Sequence, residues 1–161
     1  MGDLKVLAKG VDTLHVSGKG SVRADVWDQV DALRKVGELN ESAELVEFPE
    51  TGQPFFVQPR GLRWYSLWLS SDDYELLMSK SDRRPALQVQ LHSAYLHSMG
   101  VHDAMRLVGE TLRKSVMADK RVELGVSRID LYADVQGWPL EVGDLVRFVS
   151  WSRVRAASCR P

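Results

Sequence analysis

Two stretches of this chain repeat their apolar residues every three or four positions, while most of the remainder repeats them every second one. Val22, Val26, Val30, Leu33 and Val36 form the first helical stripe, with Asp25, Asp28, Asp31, Arg34 and Lys35 on the rest of the surface. This spacing predicts an amphipathic helix over Val22–Leu39, with Ser21 as its N-cap. Gly100 breaks the chain before the second stripe, Val101, Ala104, Met105, Val108, Leu112 and Val116, which predicts a helix over Val101–Val116. Strand patterns occupy Val11–Ser17, Glu44–Phe48, Pro54–Val57, Leu62–Leu69, Ala86–His92 and Arg121–Gln136, each closed by Gly-, Pro- or polar-rich punctuation. The order lacks the regular alternation of a parallel α/β protein. The expected fold is α+β, a largely antiparallel sheet with two main amphipathic helices packed on one face.

Within the sheet, the third run sends Trp64, Ser66 and Trp68 one way and Arg63, Tyr65, Leu67 and Leu69 the other. These aromatics read as core and cross-strand pairs rather than a base-stacking platform. Ala86–His92 alternates cleanly, with Leu87, Val89 and Leu91 inward and Gln88, Gln90 and His92 outward.

A chain of 161 residues with 44% hydrophobic and 27% charged side chains can bury one substantial core, so a globular domain is expected over 1–140. Residues 141–161 read as a short helix or irregular basic tail, a truncated second half of a longer protein. With a net charge of -1, nucleic acid cannot be held by overall charge, and any such contact needs a local patch. The basic segments Arg60–Arg63, Lys80–Arg84, Arg113–Arg121 and Arg147–Arg160 are the candidates, each also readable as solvated surface. Cys159 stands alone, so no internal disulfide forms. The start has no secretory layout, and no apolar run reaches the ~20 residues of a membrane span, so a cytoplasmic protein is expected.

The most informative stretch is Ser127-Arg128-Ile129-Asp130-Leu131-Tyr132-Ala133-Asp134-Val135. Alternation predicts Ile129, Leu131, Ala133 and Val135 in the core, with Arg128, Asp130, Tyr132 and Asp134 sharing the other face. Two carboxylates so placed can converge on Mg²⁺ or Mn²⁺, which take oxygen ligands and leave positions for water or phosphate. Arg128 then has two uses, holding a phosphate or pairing with Asp130. Gln90 and His92 would join as phosphate contacts, or His92 as a third ligand, if their strand is the neighbour. The competing reading is a solvent-facing ladder of salt bridges. No paired-histidine ligand signature, CxxC, phosphate-binding glycine loop or nucleophile elbow is present.

The order of these features resembles the replication initiation factor family, the rolling-circle replication initiators of some plasmids and phages. The matching pieces are Gly10-Val11-Asp12-Thr13-Leu14, Leu87-Gln88-Val89-Gln90-Leu91, Tyr95-Leu96 before Gly100, Val126–Leu131 followed by Asp134, and Phe148-Val149. They span most of the chain in short motifs, of which Arg128-Ile129-Asp130-Leu131 with Asp134 is the most specific. The resemblance implies metal-dependent nicking of origin DNA and strand transfer by a tyrosine, with Asp130 and Asp134 on the metal. It also implies that the nucleophile lies further downstream than this sequence runs, so a truncated relative is expected, with DNA and either a second copy or a full-length initiator as partners. Two other readings stay open: a non-catalytic DNA-binding or regulatory module, and an α+β interaction domain with an exposed charge ladder.

Overall fold

The computed structural model describes residues 4–119 and 123–137. The expected tail at 141–161, with Cys159 and the basic run Arg147–Arg160, lies outside the described residues, as does Arg121. In chain order the elements are β1 Lys5–Lys19, α1 Ala24–Asn40, β2 Glu44–Phe48, β3 Gln53–Val57, β4 Leu67–Ser70, β5 Tyr74–Met78, β6 Leu87–Leu91, α2 Ser93–Met99, α3 Val101–Thr111 and β7 Glu123–Gln136. A π-helical turn, Leu112–Val116, extends α3. Among the described residues no helix is long and apolar enough to cross a membrane.

The strands form one seven-stranded sheet in the order β2-β3-β4-β5-β6-β1-β7. The fold is α+β, as the patterning predicts. The chain divides into two compact units: Gly10–Tyr132, and Met1–Lys9 with Ala133–Pro161. In the second, the described residues are the outer ends of β1 and β7, where Leu4, Val6 and Leu7 are exposed.

Cross-strand registry builds the core of the larger unit. Val57 lies opposite Leu69, Leu69 opposite Leu76, Leu76 opposite Val89 and Val89 opposite Val16, a row of apolar side chains crossing five strands. A parallel row runs Leu67, Met78, Leu87 and Gly18. Gly18 is required there, because a Cβ would sit 2.7 Å from Leu87 Cδ1. Val26, Trp27 and Val30 of α1, Leu96 of α2, and Ala104, Val108, Leu112 and Val116 cover this face and join the same cluster.

Several expectations change at the element level. α1 starts at Ala24, with Arg23 rather than Ser21 at the cap position and no side-chain cap. The run Leu62–Leu69 is a strand only from Leu67, because Leu62 and Tyr65 bond each other across a tight turn. The strand β5 and the helix α2 were not predicted by periodicity.

The largest correction concerns β7. Ile129 is 52% and Leu131 74% exposed, so they do not enter the core. Instead Leu124 packs against the core cluster, and Tyr132 sits 4.7 Å from the His97 ring of α2. Leu124 and Tyr132 of β7 thus face the helix layer. The strand is outermost in the sheet, so the apolar set at Ile129 and Leu131 has no covering layer on its side among the described residues.

Two substitutions separate these environments. Leu87→Ala, at a fully buried position, is expected to cost about 2–5 kcal/mol in a urea titration. Ile129→Ala, on the exposed side of the last strand, is expected to stay within about 0.5 kcal/mol of the parent.

Candidate functional site

Arg128 and Asp130 stand two positions apart on β7, so extended geometry turns both side chains to the same face. The Arg128 guanidinium donates two hydrogen bonds to the Asp130 carboxylate, Nε to Oδ1 at 3.1 Å and Nη2 to Oδ2 at 2.6 Å. Both side chains are substantially exposed, 55% and 37%. An ion pair so open to water contributes little to stability. The Arg128 hydrogen bonds hold the Asp130 carboxyl below the usual carboxylate range, so it is ionised at neutral pH.

Contacts with β1 place this pair in the sheet. The Ser127 hydroxyl donates to the His15 carbonyl oxygen at 3.3 Å, and the Tyr132 ring lies so close to Gly10 that a Cβ there would be 2.9 Å from it. As β7 advances from Ser127 to Tyr132, its partner retreats from His15 to Gly10. Arg128 and Asp130 are also the nearest charges acting on His15 of β1.

Asp12 shares the face of Leu14 and Val16, and its carboxylate accepts a 2.7 Å hydrogen bond from the Ser93 hydroxyl at the start of α2. A second carboxylate on the neighbouring strand is a feature that reading β7 alone missed. Its signal in the sequence was Gly10-Val11-Asp12-Thr13-Leu14, but its place on a strand beside β7 depends on strand order.

Asp134 is exposed and belongs to the smaller unit. Gln90 and His92 do not flank β7, because β1 lies between β6 and β7. Gln90 sits between Glu75 and His15 on the face away from the helices, and its buried Nε2 has no partner among the described residues. His92 caps the start of α2, with Nδ1 3.0 Å from the Asp72 carbonyl oxygen, turned toward the β4–β5 connection. Among the described residues no three His, Cys, Asp or Glu side chains gather as a metal-holding group.

His15 is the buried histidine of the sheet, 6% exposed, and Gln88 Nε2 approaches its Nδ1 at 3.4 Å. Gln88 can only donate from that atom, so the contact fits a neutral ring accepting at Nδ1. Burial, with Arg128 and then Arg63 adding to it against the opposing pull of Asp130, keeps the imidazole below its ordinary 6.5.

Three tyrosines are shifted by burial. Burial pushes the Tyr74 phenol up to about 12. Burial also raises Tyr65, and burial followed by the nearby Asp73 raises Tyr95. Tyr132, two residues beyond Asp130, packs against His97 and Gly10.

The Arg128–Asp130 pairing has a measurable consequence. A carboxylate whose folded pKa is depressed stabilises the protein above its unfolded pKa of about 3.9 and loses that contribution as pH falls through the lower folded value. A ¹³C-detected titration of Asp130 is expected to show a midpoint below about 3.9, moving back toward that value in Arg128→Gln. An unchanged midpoint in the variant would mean that the pair does not persist in solution. Comparison with known proteins gives no match: no family model, no curated protein and no solved structure matches this chain.

Proposed function

We propose that this chain is a replication-initiator-like domain in which Asp130 holds Mg²⁺ or Mn²⁺ against a DNA phosphodiester. The observation that carries the reading is the state of Asp130. Its carboxylate is ionised, open to solvent and occupied only by an arginine of its own strand, which a divalent cation can displace. The displaced Arg128 is then free to bind a phosphate oxygen, where a planar fork of donors is well suited. One or two carboxylates are enough for such an ion when water and phosphate complete its shell. The resemblance of Arg128-Ile129-Asp130-Leu131 to rolling-circle initiators points to the same chemistry, with a cytoplasmic setting and origin DNA as substrate.

In that reaction a tyrosine oxygen attacks phosphorus, the P–O3′ bond breaks, and the 3′ oxygen leaves with a proton as a hydroxyl. The metal would offset charge on the phosphate and on the leaving oxygen. The proposal covers the metal-binding half of the site and assigns no nucleophile. A second reading, in which the domain binds DNA and regulates initiation without cutting it, needs no nucleophile.

A thermal melt with and without Mn²⁺ tests the metal reading. A ligand at a hundredfold excess over its Kd stabilises by about 2.7 kcal/mol, which for a chain of this size raises Tm by roughly 5–10 °C. The shift is expected in the parent and absent in Asp130→Asn. No shift in the parent would remove the metal and the nicking chemistry together. A shift without cleavage of single-stranded origin DNA would leave the regulatory reading.

A further inference from the structure

The two basic segments Arg60–Arg63 and Lys80–Arg84 are far apart in sequence but meet in space. The Arg84 guanidinium lies over the Trp64 ring, 4.8 Å from its centroid. Lys80, four residues earlier, lies over Trp27 at 4.6 Å. Lys80 and Arg84 also line one cleft of about 480 Å³, together with Ser21, Ser79, Ser81 and Asp82. Most cations elsewhere in the described structure have carboxylate partners, as do Arg23, Arg34, Lys35, Arg106, Lys114 and Arg128. Among the described residues no carboxylate lies within ion-pair distance of Arg63, Lys80, Arg83 or Arg84. These four therefore carry no direct ion pair, in a protein whose net charge is -1.

Trp64 itself is displayed by a turn built for the purpose. Leu62 and Tyr65 exchange backbone hydrogen bonds of 3.1 Å, leaving Arg63 and Trp64 as a two-residue tip. Arg63 adopts φ 55°, the left-handed region that a glycine would occupy more easily. A Cβ at Gly61 would collide with the Tyr65 carbonyl oxygen, so the base of the turn admits no other side chain. The result is a tryptophan 66% exposed, among the most exposed large apolar side chains described, flanked by Arg63 and Arg84. The tip keeps an arginine and a tryptophan at positions where backbone strain and exposure both argue against them.

We propose that this surface binds single-stranded nucleic acid, with a base stacked on Trp64 and the adjoining backbone phosphates held by Arg84 and Lys80 along the cleft. Every base offers a π-face to an indole, and an arginine over the same ring can swing to a phosphate without leaving the site. The Ser21, Ser79 and Ser81 hydroxyls supply further phosphate donors in the cleft. Asp82 is the one carboxylate lining it, and sets a limit on how many phosphates enter. A duplex suits the site less well, since its bases are already stacked and cannot reach the tip. The proposal shares with the reading of Asp130 only the idea of a nucleic-acid partner, and needs neither the metal nor catalysis.

Fluorescence anisotropy with a labelled ten-nucleotide oligothymidylate, in EDTA so that no divalent ion takes part, tests it on the full chain. Binding is expected for the parent and for Asp130→Asn alike. Trp64→Ala is expected to weaken it about 5- to 150-fold, the range of one base–aromatic stack, while Trp64→Phe keeps part of the affinity. Arg84→Gln is expected to lower the slope of log K against log salt by about 0.7, one single-strand phosphate contact. Trp64 is exposed, so unchanged circular-dichroism melts will show that its variants remain folded. Equal affinity of parent and Trp64→Ala, tighter binding of duplex than single strand, or binding of thymidine monophosphate as tight as that of the oligonucleotide would overturn the proposal. Loss of oligonucleotide binding with a retained Mn²⁺ shift would leave Asp130 untouched, and the converse would leave Trp64 untouched.

Discussion

Everything described in the larger unit hangs on the cross-strand row Val57, Leu69, Leu76, Val89 and Val16. Each member is fully buried, and each is held opposite the next by a register that a one-residue slip would reverse. The helices pack onto this row, and the loops leave from the strands that carry it. β1 takes part through Leu14 and Val16, so the position of Asp12 between Leu14 and the start of α2 follows from the core. β7 attaches outside β1 and inherits its place from it.

How much of this could be read in advance depends on whether local pattern or long-range order decides. β6 was legible because its alternation of Leu87, Val89 and Leu91 with Gln88 and Gln90 meets a covered face on one side only. β7 alternates just as clearly, yet periodicity gives two faces without saying which is inside. That choice belongs to the neighbouring strand and to α2, and here it runs opposite to what Ile129 and Leu131 suggest. β5 was missed because Leu76, Leu77 and Met78 are all buried, which erases the alternation. α2, at seven residues, is too short to show a stripe.

The candidate chemistry was legible to the same degree. The pairing of Arg128 with Asp130 follows from spacing on a strand and is found. The placing of β1 beside β7 needs the order β6-β1-β7, which no local pattern contains. The separation of Gln90 and His92 from β7 has the same cause, one intervening strand. Trp64 was hidden by a different effect. Read as part of a continuous strand it is a cross-strand aromatic, whereas the Leu62–Tyr65 turn puts it at a tip in solvent.

That turn divides what can vary from what cannot. Gly61 and the Leu62–Tyr65 bonds are locked by backbone crowding, and Tyr65 is buried behind them. Arg63 and Trp64 touch little of the frame that supports them. Substitutions at the two tip positions can therefore accumulate without disturbing the sheet, and the surface they present can change its preferences faster than the fold changes its shape.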